Sequence, residues 1–179
     1  MLYVAILILQ LTLGVFILFL CLSFVTGAPF VPATNSTARA MIELARIKPG
    51  EIVYDLGSGD GKVLFLAAKK GATAYGFEIN PVLVLYTRVR ALFSPFRSSV
   101  RVLWKDLWVA QVDEANVVFI YLLPWRMKEL QRKLTKSLKP GTRIVSNSFM
   151  FPDLPVEDED RTHHAYLYRQ TNKSLSTPV

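Results

Sequence analysis

The first apolar run, Leu2 to Val25, has no polar rhythm: residues 1–38 contain no Lys, Arg, Asp or Glu, and the run is almost wholly Leu, Ile, Val, Phe and Ala. As a helix it would extend about 36 Å, enough for a hydrocarbon core of about 30 Å, which predicts a transmembrane helix. No Lys or Arg precedes it, and Pro29 follows the small residues Gly27 and Ala28 where cleavage would fall. Both features favour an uncleaved anchor over a signal peptide. Gln10, the one amide in the run, could bond a neighbouring helix or simply be tolerated near a helix end. The expected organisation is an anchor over 1–27, a linker and approach to a lid over 28–35, and a folded domain over 36–179.

Beyond the linker the pattern changes to an alternation of two periods. "STARAMIELARI" places Ala38, Met41, Ile42 and Ala45 on one helical face behind Asn35 or Ser36, and Pro49-Gly50 ends it. "EIVYDL" reads as a buried strand, followed by glycines and a helix from Lys62 to about Lys70. "AYGFEI" is a second strand, and Pro81 opens a helix to about Phe93 because a first turn needs no amide hydrogen there. "VRVLW", "ANVVFIY" and "TRIVSNSF" read as further strands, with the helix "RMKELQRKLTKSLK" before the last of these. "AYLYRQ" forms a closing strand after an acidic loop, Glu157 to Asp160. Near-continuous apolar strands alternating with helices predict an α/β Rossmann-like sandwich, mostly parallel, with helices on both faces and an antiparallel strand at the end.

Charge sharpens this picture. All 21 Lys and Arg lie after the apolar run, so the positive-inside rule puts the domain on the cytoplasmic side with the amino terminus out, or on the matrix side in a mitochondrion. The net charge of +7 suits anionic headgroups, with nucleic acid as the competing partner. The one cysteine, Cys21, lies in the apolar run, which leaves the domain no disulfide and no thiolate metal site. No metal ligand set is expected. His163 and His164 read as polar residues leading into the closing strand.

The chemistry concentrates in "VYDLGSGDGK". In an open α/β sheet, ligands bind beyond the carboxyl ends of the strands, where a glycine-rich turn lets the backbone approach them. A dinucleotide fingerprint would need a small residue where Lys62 stands. A P-loop would need Ser or Thr where Val63 stands. What remains is D-x-G-x-G-x-G: Asp55, Gly57, Gly59 and Gly61. An acid at the strand end repels a pyrophosphate and suits an ammonium group. Glu78 ends the second strand, where a carboxylate can accept from both hydroxyls of a ribose, and Asp106 follows the third, placed to accept from an exocyclic amine. Ammonium, ribose and adenine together specify S-adenosylmethionine. Taken singly, a glycine turn can be only a turn, and an Asp after a strand only a helix cap. Their joint occurrence selects the cofactor.

These residues resemble a class I S-adenosylmethionine-dependent methyltransferase. "PFVPAT", "GFEINP", "VVFIYLLP", "LKPGTRIVSNSF" and "AYLYRQ" narrow the resemblance to the membrane-anchored protein lysine methyltransferases of mitochondrial type, which modify the ATP synthase c subunit or the ADP/ATP carrier. The resemblance implies that Asp55 and Gly57, Ser58, Gly59 and Gly61 hold the methionine end, Glu78 the ribose, and Asp106 with Leu107 the adenine. It also implies that Pro32 to Thr34 fold over the cofactor, with Thr34 touching it, and that Tyr121, Leu122, Leu123 and Pro124 line the substrate channel with Pro32. The chain lacks a charged targeting stretch, which points to a prokaryotic relative.

Tyr121 is the candidate for aligning a substrate amine, with a core aromatic at a strand end as the alternative. The expected activity is methylation of a lysine amine on a membrane-associated protein. Its rivals are a membrane small molecule such as a lipid or quinone, RNA, and a non-catalytic cofactor-binding module. RNA is encouraged by Arg126, Lys128, Arg132, Lys133, Lys136 and Lys139 on one helix. It is discouraged by "YLLP", which stands where amino-methylating nucleic-acid enzymes usually carry an acid or amide and two prolines, so no nucleic-acid partner is expected.

Overall fold

The computed structural model describes residues 2–26 and 32–171, with side chains in the first stretch for residues 2–15 and 17. The chain divides into two compact units, Met1–Val31 and Pro32–Val179.

The first unit contains helix α1, Leu2–Thr26, nearly coincident with the apolar run. Among the described residues, however, no helix is long and apolar enough to cross a membrane. The fold as established therefore includes α1 as an apolar helix and does not include the expected membrane span. Residues 28–31 of the expected linker, the side chain of Cys21 and the tail after residue 171 lie outside the described residues.

The second unit opens with α2, Asn35–Ala45. Thr34 caps it by accepting from Thr37 N, and the chain leaves it through Arg46 in the left-handed region. There follow β1 (Ile52–Leu56), α3 (Lys62–Lys69), β2 (Thr73–Glu78), α4 (Pro81–Leu92), β3 (Val100–Trp104), a short 3-10 turn (Leu107–Val109), β4 (Val117–Ile120), α5 (Pro124–Ser137), β5 (Arg143–Asn147), β6 (Asp158–Asp160) and β7 (Ala165–Arg169). The strands form one sheet in the order β3-β2-β1-β4-β5-β7-β6. The pairs from β3 through β5 are parallel, and β7 runs antiparallel to both β5 and β6.

The acidic segment expected as a loop is thus an edge strand over Asp158–Asp160. Its charge is accommodated because Asp158 meets Arg46 from α2 and Glu159 meets Arg161. His163 donates its backbone N–H to Asp160 and sits 3.0 Å from the same carboxylate through Nδ1, holding the hairpin between β6 and β7.

Side-chain alternation separates two layers. Val53, Val117, Phe119, Val145 and Leu167 pack in one cluster with Met41 and Ile42 of α2, Leu64 and Ala67 of α3, and Val84 and Ala91 of α4. The intervening Tyr54, Val118, Ile120, Ile144 and Tyr168 are buried outside that cluster, as are Met127, Leu130 and Leu134 of α5. Period-two burial on both parities is what strands covered on both faces require. Buried Arg143 ties the layers' rim by donating to Ala45 O, Arg46 O and the Glu51 carboxylate.

Candidate functional site

The strand order reverses between β1 and β4, so the crevice of an open sheet lies at their carboxyl ends. Asp55, the glycine turn, Glu78, Asp106 with Leu107, and Tyr121 to Pro124 lie at or just after the carboxyl ends of β1 to β4, whereas Pro32 and Thr34 precede α2. The turn after β1 starts with Gly57 at φ 89°, and both Gly57 N and Ser58 N donate to Phe77 O of β2. A Cβ added at Gly57 would meet nothing within 4 Å, so this glycine faces open space where a ligand can approach the backbone.

Gly61 serves a different purpose. A Cβ there would collide with Thr87 Cγ2, because α4 crosses directly over the turn and Thr87 Oγ1 donates to Gly59 O at 3.2 Å. Gly61→Ala, also strained at φ 74°, is expected to lower stability by roughly 2 kcal/mol, read as a fall in the urea midpoint. Gly76 on β2 makes the corresponding space for Ser58, whose Oγ would lie 2.5 Å from an added Cβ.

Two buried carboxylates flank the turn. Glu78 accepts from Gly59 N through Oε2 at 2.9 Å and from Asn80 N through Oε1 at 2.8 Å, which fixes the carboxylate while leaving each oxygen a further lone pair. Asp55 is buried, and its carboxyl is pushed up to about 8 by desolvation, by Glu78 and by Asp60. All three influences raise it, and none of them is a compensating positive charge from a described residue. An ammonium group fits that deficit, and with open space at Gly57 and the acceptor at Glu78 the residues present suit an amino-acid nucleoside.

Asp106 caps the 3-10 turn by accepting from Trp108 N at 2.9 Å, which occupies Oδ1. Leu107 is buried beside it. Thr34 is engaged as the cap of α2 and shares hydrogen bonds with the hydroxyls of Ser36 and Thr37. After β4 come Tyr121, half-buried, Leu122, buried, Leu123, half-buried, and Pro124 opening α5.

Sequence reasoning missed three contributors. Lys62 donates through Nζ to Ala33 O, tying the Pro32–Thr34 segment to the glycine turn. Asn80 caps α4 by accepting from Val82 N and so orients the chain just after Glu78, a role signalled by the Asn-Pro pair. The Arg126 guanidinium lies 4.4 Å from the Trp108 ring, joining the loop after β3 to the start of α5. Of the six cations expected on one helix, Lys139 lies beyond the end of α5, and with Lys133 donating to Ala110 O two of the remaining five are committed within the domain.

A seven-stranded sheet with one antiparallel strand, switch-point acids and a glycine turn defines a class I methyltransferase fold. Residues 55–158 match the family described as the ANTKMT methyltransferase domain, and the chain belongs to that family. The human lysine N-methyltransferase of the ATP synthase c subunit is 39% identical over 69% of this chain and 53% of its own length. A protein-lysine N-methyltransferase of Saccharolobus islandicus is 34% identical over 82% of this chain and 96% of its own. A Salinibacter ruber structure described as an RNA methyltransferase with S-adenosyl-L-homocysteine superposes with a TM-score of 0.78, at 33% identity, covering 82% of this chain and 98% of that one. The chain spans about half the length of the vertebrate relatives it matches.

Proposed function

We propose that this protein transfers a methyl group from S-adenosylmethionine to a lysine amine of a membrane-associated protein. The observation that carries the cofactor is the uncompensated Asp55 carboxyl beside open Gly57 and immobilised Glu78. The lysine acceptor is supported by relatives described as protein-lysine methyltransferases.

In this reading Asp55 binds the ammonium, Glu78 the ribose hydroxyls, and the free oxygen of Asp106 the adenine amine, with Leu107 against the ring. The cofactor supplies an electrophilic methyl group on a sulfonium, whose neutral departure needs no acid. The protein's task is alignment and exclusion of water. Leu122, Leu123, Pro124 and Pro32 provide apolar walls. Their low polarity favours the neutral form of an amine whose ordinary pKa is near 10.4. Tyr121 orients that amine by its ring or hydroxyl. The Lys62 contact holds Pro32 to Thr34 as the flap over the cofactor.

The apolar helix α1 is read as the anchor, with the amino terminus out and the domain on the cytoplasmic or matrix side, because every cation lies after it. RNA is the second reading, favoured by the description of the Salinibacter protein. Incubating membranes with the enzyme and methyl-labelled cofactor separates the readings. Label is expected in protein, as methyllysine after hydrolysis. Label in lipid or RNA with none in protein overturns the lysine assignment.

A further inference from the structure

Helix α4 is apolar on two sides. Val84, Thr87 and Ala91 are buried against the sheet, while Val82, Leu85, Tyr86, Val89, Leu92 and Phe93 are exposed, Val82 by 72% and Phe93 by 85%. At 100° per residue the exposed six form one stripe opposite the buried three, flanked by Arg88 on one side and Arg90 on the other. Trp104, 66% exposed, extends the apolar surface at the end of β3. Its indole donates to the carbonyl of Ile79, itself half exposed, at the approach to α4. A soluble helix does not present such a stripe to water without a partner.

Charge identifies the partner. From Ile79 to Lys105 the sequence has no Asp or Glu and carries Arg88, Arg90, Arg97, Arg101 and Lys105. Two copies of this face would oppose like charges, so a second chain is disfavoured as the occupant. An anionic bilayer answers both features: its acyl boundary takes the apolar stripe, and its headgroups take Arg97 and the exposed donors left on Arg88, which also bonds Val102 O, and Arg90, which also bonds Asp60 O, with Trp104 and Tyr86 suited to the interface.

We infer that α4 and the adjoining end of β3 form a lipid-docking face that lays the domain on an anionic membrane surface. The inference rests on the membrane-associated reading above and adds a contact separate from α1. Docking would bring the carboxyl edge of the sheet, where Glu78 and Asn80 precede α4, close to the headgroups.

The test uses the full chain in vesicles of brominated lipid, with Trp108→Phe and Trp125→Phe leaving Trp104 as the sole reporter and cofactor binding confirming the fold. Trp104 is expected to be quenched on phosphatidylcholine–phosphatidylglycerol vesicles at low salt, and less so at high salt or on phosphatidylcholine alone. Leu85→Glu with Phe93→Glu should abolish the quenching. Should that variant fail to fold, Arg97→Gln spares the apolar stripe and is expected to shift the docking equilibrium by about fivefold, the share of one charge near the surface. Absent quenching on anionic vesicles, or equal quenching on neutral ones, overturns the inference. So does a dimer in detergent that Leu85→Glu and Phe93→Glu convert to monomer, which would make a second copy the occupant. These vesicles contain no acceptor, so failure here leaves methyl transfer intact. Lost methylation of solubilised acceptor with quenching retained overturns only the functional reading.

Discussion

Glu78→Ala is expected to weaken S-adenosylmethionine binding by about 100-fold, close to 3 kcal/mol, while leaving the protein folded. Two losses combine. The ribose hydroxyls forfeit a charged acceptor, and the turn forfeits the carboxylate that receives Gly59 N and Asn80 N. Charge-assisted bonds of this kind contribute about 1.5–3 kcal/mol each, and the freed amides recover part of that through water. Glu78→Gln keeps an acceptor oxygen but not the charge, and about tenfold weakening is expected. Calorimetric titration reads both values, and a thermal melt separates binding loss from unfolding. Unchanged affinity in a folded Glu78→Ala protein would remove the ribose assignment.

Why Glu78 was legible from sequence while other contributors were not comes down to the range of the interactions. The strand–turn–helix passage from Ile52 to Lys69 is local: β-rich residues, then glycines at positive φ, then an amphipathic run, each visible within a few positions. Three acids ending three successive strands are visible for the same reason. Gly61 is different, because the atom that excludes a Cβ there belongs to Thr87, brought over the turn only by the packing of α4. The Lys62 bond to Ala33 likewise spans the fold and leaves no local mark. The strand Asp158–Asp160 was hidden by composition, since consecutive acids disfavour a strand until Arg46 and Arg161 offset their charge. Helix α1 was legible for the same local reason, since the apolar run from Leu2 to Val25 nearly coincides with it. Asp106 and Thr34 show the converse. Asp106 suited both a cofactor contact and a cap, Thr34 was expected only at the cofactor with Asn35 or Ser36 opening α2, and the structure displays both residues as caps.

Asp55 makes the sharpest prediction, because its carboxyl reports the presence of a cation. Unfolded, it ionises near 3.8; folded and empty, it keeps its proton until about 8. Between those values the native state binds more protons than the unfolded chain, so stability of the cofactor-free protein falls as pH rises from about 4 to 8 and levels off above. The span corresponds to at most on the order of 5 kcal/mol, and Asp55→Asn should flatten that part of the profile in urea titrations. An ammonium group beside Asp55 favours the charged carboxylate, so binding of S-adenosylmethionine near pH 7 should release close to one proton per site. Calorimetry in buffers of different ionisation enthalpy measures that release directly. 5'-Methylthioadenosine, which lacks the amino-acid end, should release none. Asp55→Asn should abolish the proton release and weaken S-adenosylmethionine by about 10- to 100-fold, while methylthioadenosine binds as before. Equal weakening of both ligands, or proton release that persists in Asp55→Asn, would mean that this carboxyl shapes the turn and does not hold the ammonium.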